Sequence, residues 1–255
     1  PLKIAVAKYN LARHSLKQEN LAEAFALYKE SARLDPSYLK RCYFCKELGG
    51  LLFLSRHYYL SARWYEHAMC LATNGDRDEI LPRLADAYFH SRMLSIAREC
   101  WESYFEIANE ACHEFCLKVH MAEYIESTKV NVESSVSKPE RLRNLELAKV
   151  DPLELPESSK SQLRNILQHD PLCGLAWFNY AKLCADTGDL KAASRAYLFA
   201  ALSERNDIES WAYAALTALL ASDASTHYFA HILCAAYRIH GEDLLSTLHA
   251  VLSLQ

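Results

Sequence analysis

The sequence predicts an all-α fold, an α-α superhelix built as a solenoid of stacked antiparallel helix pairs. Three observations carry that expectation. Apolar residues recur at helical spacing along most of the chain. A two-helix pattern of about 34 residues returns on both sides of an irregular middle stretch, as in repeat arrays. Only 6 of the 255 residues are glycine, which disfavours tight-turned sheets and any glycine-rich loop that cradles phosphate.

The elements follow in order. A first helix from about Lys3 to Lys17 pairs with a second from Leu21 to Leu34, which Asp35-Pro36 closes. The next pair spans Ser37 to Leu54 and His57 to Ala72, and Asn74-Gly75 ends it. Asp76 and Glu79 form a capping box for a helix reaching His90, whose mate runs from Met93 to Ala108. A helix from Ala111 to Glu126 shows Phe115, Val119, Ala122 and Ile125 on one face, yet no partner follows directly. Residues 127–157 are instead rich in Ser, Glu, Lys and Pro, with Pro139 to Lys149 as a short helix among them. Helical pattern resumes at Ser159, which with Gln162 reads as another capping box, and ends at Asp170-Pro171. Copies then begin at Gly174 and Ile208, and Glu242 to Leu254 is a lone closing helix.

The organisation read from this is an N-terminal array over residues 1–126, with three repeats and the first helix of a fourth. An insertion or linker follows at 127–157, then a C-terminal array at 158–241 and a capping helix at 242–255. The simplest account makes the middle stretch an insertion between the two helices of one repeat. Treating Glu140 to Asp170 as an extra, degenerate repeat leaves the helix at Ala111 without a mate.

Close packing explains the residue types. Where two helices cross, Ala24, Gly49, Ala85, Ala97 and Ala193 must be small, because added methylenes there cost roughly 1–3 kcal/mol. Bulky residues at Leu11, Tyr28, Tyr65, Tyr88, Trp101, Trp177 and Tyr197 fill the space between hairpins. A single hairpin cannot bury its own apolar face, so each repeat is stabilised by the next and the stack leaves a concave groove.

The clearest copy is Gly174 to Asp207. Trp177 lies early in its first helix, Thr187-Gly188-Asp189 makes the turn, and Ala193, Tyr197 and Ala200 follow in the second. One period later Trp211 falls in the slot of Trp177. Upstream, Ala24, Tyr28, Ser31 and Pro36 occupy the matching slots; Leu48-Gly49 with Ser61, Tyr65 and Ala68 gives another copy, and Leu84-Ala85 with Tyr88, Ala97 and Trp101 a further one. Over most of its length the chain resembles the tetratricopeptide repeat (TPR) family, which places a large residue, Leu-Gly and Tyr in the first helix and Ala, Phe and Pro in the second.

The resemblance implies a groove lined by fixed slots of each first helix. Carried onto this chain, those slots are Tyr9, Asn10, Arg13 and Lys17 in the first repeat. The second gives Tyr43, Lys46, Glu47 and Phe53, and the third gives Arg83, Asp86, Phe89 and His90. Beyond the insertion they are Phe178, Asn179, Lys182 and Asp186, then Glu209 and Tyr213. Lys and Arg interleaved with aromatics suit an acidic peptide segment with apolar anchors. Some family members clamp a chaperone's terminal carboxylate with lysines and asparagines. Here Tyr9, Arg13 and Glu47 stand in those slots, so chaperone-tail binding is not expected.

Composition excludes other classes. A formal charge of -4 gives no electrostatic reason for nucleic acid or an anionic membrane as main partner. No apolar run is long enough to span a bilayer, and the opening segment reads as an amphipathic helix rather than a signal peptide. Beginning inside a helix at Pro1, the chain reads as a fragment of a larger protein. Nine cysteines scattered over helical positions fit a reducing, cytoplasmic setting. Cys42 and Cys45 form a C-x-x-C pair with no second pair for zinc. Cys112, Cys116 and His120 share one helical face, but that face carries the core residues Phe115 and Val119, and no metal is expected. Glycine-rich nucleotide loops, nucleophile elbows and zinc-protease motifs are missing, so neither an enzyme nor a cofactor is expected.

Two functions follow as expectations. The chain is a non-catalytic scaffold or adaptor that holds a peptide or protein in its groove, with the inserted loop gripping that partner or occupying the groove until displaced. Alternatively it is the sensor or regulatory region of a multidomain protein, such as a signalling ATPase or effector, whose catalytic part lies upstream.

Overall fold

The computed structural model describes residues 2–107, 113–127, 143–144, 146–149, 156–221 and 226–253, and these are helical with short connections. We number the helices α1 (Leu2–Lys17), α2 (Leu21–Leu34), α3 (Cys42–Leu54), α4 (Tyr58–Leu71), α5 (Asn74–His90), α6 (Leu94–Ile107) and α7 (His113–Ser127). There follow α8 (Pro156–His169), α9 (Gly174–Asp186), α10 (Leu190–Ser203), α11 (Ile208–Leu220), α12 (Thr226–His240) and α13 (Glu242–Ser253). Among the described residues there is no strand.

The repeat is written in the turns. Within the hairpins α1/α2, α3/α4, α5/α6 and α9/α10, one residue adopts a left-handed backbone: Glu19 (φ 60°), Arg56 (59°), Arg92 (69°) and Gly188 (80°). Each donates its N–H three residues back, to Leu16, Phe53, Phe89 and Ala185. The next residue donates five back: Asn20 to Ser15 (2.9 Å), His57 to Leu52 (2.8 Å), Met93 to Tyr88 (2.9 Å) and Asp189 to Cys184 (2.9 Å). This shared pattern satisfies carbonyls that a helix end leaves orphaned and reverses the chain by one fixed geometry.

Starts of helices are capped locally. Asn20 accepts from the Glu23 N–H while its own amide donates to the Glu23 carboxylate at 2.8 Å. Asp189 and Asp207 cap α10 and α11 by accepting from Ala192 and Ser210. Some boundaries differ from the sequence reading. The Asp76 box is closed by Thr73, not Glu79, and α5 starts at Asn74. The expected helix from Ser37 splits into a 3-10 turn (Pro36–Lys40) and α3, because Asp35 caps the turn through the Ser37 N–H. Ser159 lies inside α8, which begins at Pro156.

The chain forms two compact units, Pro1–Glu110 and Ala111–Gln255. In the first, α1/α2, α3/α4 and α5/α6 are antiparallel pairs, with α2 against α3 and α4 against α5. Its small-residue positions behave as expected: Ala24, Ala85 and Ala97 are fully buried, and a Cβ on Gly49 would sit 3.1 Å from the Tyr65 ring. Leu11 does not fill an inter-hairpin gap; it is exposed, because α1 turns Ala5, Ala12 and Ser15 inward.

In the second unit α8 packs on α9, α9 on α10, α10 on α11, and α11 on both α12 and α13. Trp177 donates its indole N–H to the Pro171 carbonyl at 2.8 Å, and Trp211 donates to the carbonyl of Arg205 at 3.1 Å. Both reach six residues back, so the two tryptophans hold the same slot in consecutive repeats.

The unit boundary corrects the array expected over 1–126. Helix α7 belongs to the second unit, packing on α12 and α10 rather than opening a hairpin closed by α8. A buried ion pair holds it there: Glu114 takes the Lys118 ammonium at 2.9 Å and the Arg205 guanidinium by two bonds at 3.0 and 3.1 Å.

Candidate functional site

The first helices α1, α3 and α5 form one wall of the first unit, joined side chain to side chain. Glu47 on α3 is its hub. Its carboxylate accepts from the phenols of Tyr9 (2.8 Å) and Tyr28 (2.9 Å), and from Arg13 Nε at 3.2 Å. Burial, reinforced by Glu47, pushes both phenols well above their usual pKa, so they remain donors. Tyr9 is also enclosed by the rings of Tyr28, Tyr38, Tyr43 and Phe44, all within 6.0 Å. A second node joins α3 to α5, where Glu79 takes the Lys46 ammonium at 2.5 Å and Arg83 at 3.0 Å. The hydrogen bond from Lys46 holds the Glu79 carboxyl below its ordinary range.

Between these nodes lies a cleft of about 380 Å³. Leu16, Gly50, Phe53, Leu54 and Tyr65 give it an apolar floor, and Lys46, Glu47, Arg83 and Asp86 give it a charged rim. The cleft therefore brings together the expected residues Lys46 and Arg83, with Glu47, Phe53 and Asp86. Tyr65 reaches it across Gly49 and Gly50, whose missing side chains leave that ring its place.

Other expected groove residues stand elsewhere. Asn10 and Lys17 are exposed on α1, and Tyr43 is 41% exposed with its hydroxyl accepting from Arg41. His90 stacks on Tyr58, with ring centroids 4.8 Å apart. Phe89 is a correction: it is fully buried against Trp101, because α6 folds over the end of α5 and encloses Ala87, Tyr88 and Phe89 together.

On α9 of the second unit, Phe178 packs edge-on against Tyr197 and Tyr213, and Lys182 is exposed. Asn179 is engaged: its amide donates to the main-chain carbonyl of Ala148 at 2.6 Å. Residues 143–144 and 146–148 are helical, within the stretch where Pro139 to Lys149 reads as a short helix. A separate pocket of about 180 Å³ lies among Tyr124, Arg164, Leu167, Trp177 and Tyr180.

Cysteine chemistry is quiet. The Cys42 and Cys45 thiols point to the carbonyls of Ala68 and Leu39, and burial pushes Cys45 up to about 11. Cys112 falls outside the described residues. The ring of His120 lies edge-on to Tyr228, and burial with Arg195 lowers its pKa. Among the described residues no group of three or more His, Cys, Asp or Glu is placed to hold a metal ion, and no helix is long and apolar enough to cross a membrane.

Leu16, Gly50, Leu54 and Tyr65 were missed from the sequence. Gly50, Phe53 and Leu54 lie one and two turns beyond Lys46, so extending the slots along α3 would have found two of them. Tyr65 belongs to a second helix, where its slot in the sequence indicates packing alone.

The turns, the paired helices and the matched tryptophans define a TPR-like stack of helical hairpins. Several solved structures are similar in fold. They include the TPR2AB domain of yeast Sti1 in complex with pHSP90 (14% identity, TM-score 0.38, covering 97% of this chain and 98% of that one). Another is PilW, a type IV pilus biogenesis factor (11%, 0.41, 98% of each). A third is YrrB, a TPR protein with an unusual peptide-binding site (13%, 0.32, 88% and 96%). No family model matches the sequence, and no curated protein matches it.

Proposed function

We propose that the protein is a non-catalytic interaction scaffold, and that the cleft of α1, α3, α4 and α5 receives a segment of a protein partner. The observation that carries this reading is the cleft itself, an apolar floor inside a rim of alternating charge. Burying apolar anchors gives such a site affinity at roughly 25 cal/mol per Å², while the rim selects by charge. The segment is acidic with apolar anchors. Because Lys46 and Arg83 already share Glu79, an incoming carboxylate exchanges with Glu79 rather than meeting bare cations. The charged contact therefore sets specificity, and the anchors over Phe53, Leu54 and Tyr65 set most of the strength.

The test is recovery of partners by quantitative mass spectrometry with the wild-type chain and with Lys46→Glu/Arg83→Glu. The pair should lose more than tenfold of a specific partner, about 1.4 kcal/mol or more. The variant should stay folded by circular dichroism, with a loss of stability of no more than about 1–2 kcal/mol from the two lost ion pairs and the added like charges beside Glu79. Equal recovery removes the cleft from the account.

A further inference from the structure

The pocket of about 180 Å³ in the second unit shares no residue with that cleft, and the expected groove residues Phe178, Asn179 and Lys182 do not line it. Its walls are rings from two helices, Tyr124 on α7 and Trp177 and Tyr180 on α9, with Ile125 and Leu167 completing the apolar lining. Phe199, fully buried on α10, packs against Tyr124 at 5.3 Å and against Trp177 at 5.0 Å, so one side chain sets the rings that α7 and α9 contribute. The indole bond to the Pro171 carbonyl fixes Trp177 a second time. Tyr180 stands almost perpendicular to Trp177, at 82° and 6.3 Å. The polar groups come from α8, where Lys160, Arg164 and Gln168 recur every fourth residue and so share one face. Arg164 Nε donates to the Tyr180 phenol oxygen at 3.2 Å with its guanidinium 5.6 Å from that ring, and the Lys160 ammonium lies 6.0 Å from the same ring. Among the described residues that line the pocket, Arg164 alone carries charge.

We propose that this pocket binds a single aromatic ring carrying a carboxylate, the ring among Tyr124, Trp177 and Tyr180 and the carboxylate on Arg164, with Lys160 one turn away adding to the positive potential. Size sets the ring. An apolar cavity of about 150 Å³ holds benzene, so 180 Å³ admits one six-membered ring with a short acidic chain. Chemistry sets the rest. Aromatic walls offer edge-to-face and offset contacts to a ring, and a guanidinium gives a carboxylate its two-pronged, charge-assisted bond. A free aromatic acid and the terminal residue of a peptide ending in phenylalanine share this chemistry. The site is independent of the cleft in the first unit, and either stands if the other falls.

The probe is 3-phenylpropionate, added to the full nitrogen-15-labelled chain and followed by NMR at the indole N–H of Trp177, which is assigned by its loss in Trp177→Phe. The signal should shift and saturate with a dissociation constant of about 1 mM or below, while the indole of Trp64 in the first unit stays in place. 3-Phenylpropionamide, which lacks the charge, and propionate, which lacks the ring, should each bind at least tenfold more weakly. Arg164 is exposed, so Arg164→Gln should stay folded by circular dichroism. It should cost the acid at least tenfold and leave the amide within threefold. A peptide acetyl-Gly-Gly-Phe with a free terminus separates the sources: binding as tight as the free acid or tighter assigns the pocket to a chain terminus, and weaker binding assigns it to a free acid. No shift of the Trp177 signal at about 20 mM phenylpropionate, equal binding of acid and amide, or an acid affinity unchanged in Arg164→Gln overturns the proposal.

Discussion

Replacing Glu114 should unfasten α7 from the second unit. The residue is 8% exposed, and its carboxylate serves Lys118, itself 2% exposed, together with both donor arms of Arg205. Burial alone pushes this carboxyl up, but the ammonium of Lys118 and the guanidinium of Arg205 more than offset it and bring it down to about 2. Against an ordinary value near 4.5, that depression corresponds to on the order of 3 kcal/mol of stability. Because the folded-state value is the lower one, this stability is present above about pH 4.5 and is lost as pH falls toward 2. Glu114→Ala strands a buried cation and should cost about 3–5 kcal/mol, whereas Glu114→Leu with Lys118→Met should recover most of it. Hydrogen exchange followed by mass spectrometry reads each unit separately. Peptides of α7 and α10 should exchange more than a hundredfold faster in Glu114→Ala, with α1 to α5 unchanged and the acid dependence between pH 5 and 2 flattened. Exchange within threefold of wild type, or an unaltered acid profile, would refute the reasoning.

Three further outcomes follow. Glu47→Ala leaves the buried Tyr28 phenol without its acceptor and should cost the first unit about 2–4 kcal/mol in urea unfolding, with Glu47→Gln intermediate. Glu19→Gly relieves a side chain held at φ 60° and should raise stability by about 0.5–1 kcal/mol, whereas Gly188→Ala should lower it by a similar amount. Glu79→Gln frees Lys46 and Arg83 and should strengthen binding of an acidic partner several-fold in a titration, where the same change should not help a basic one.

The hairpins were legible because local chemistry writes them. Trp177 and Trp211, the Thr187-Gly188-Asp189 turn, and the small residues at 24, 49, 85, 97 and 193 all specify contacts within one or two helices. The placement of α7 was not legible. Its hold on the second unit depends on Glu114 meeting Arg205, 91 residues away, and no period of the sequence announces that encounter. The site was legible in part for a similar reason. A slot fixes where a Cα lies on a helix, but Tyr9 is drawn inward by Glu47 and an aromatic cage, and Phe89 is covered by α6. The node of Lys46, Glu79 and Arg83 is not legible either, because the sequence position of Glu79 suggests a helix cap and only the fold makes it a bridge between α3 and α5.

The claim that the wall of first helices receives a partner is tested most directly by photocrosslinking at two equally exposed positions. Leu54 (60% exposed) lines the cleft on α3, and Tyr59 (59% exposed) lies outside it on α4. With p-benzoylphenylalanine installed at one position or the other, light should join a partner to residue 54 and leave residue 59 unlabelled, and Lys46→Glu/Arg83→Glu should abolish the product. Equal labelling at both positions, or labelling at 59 alone, would contradict it.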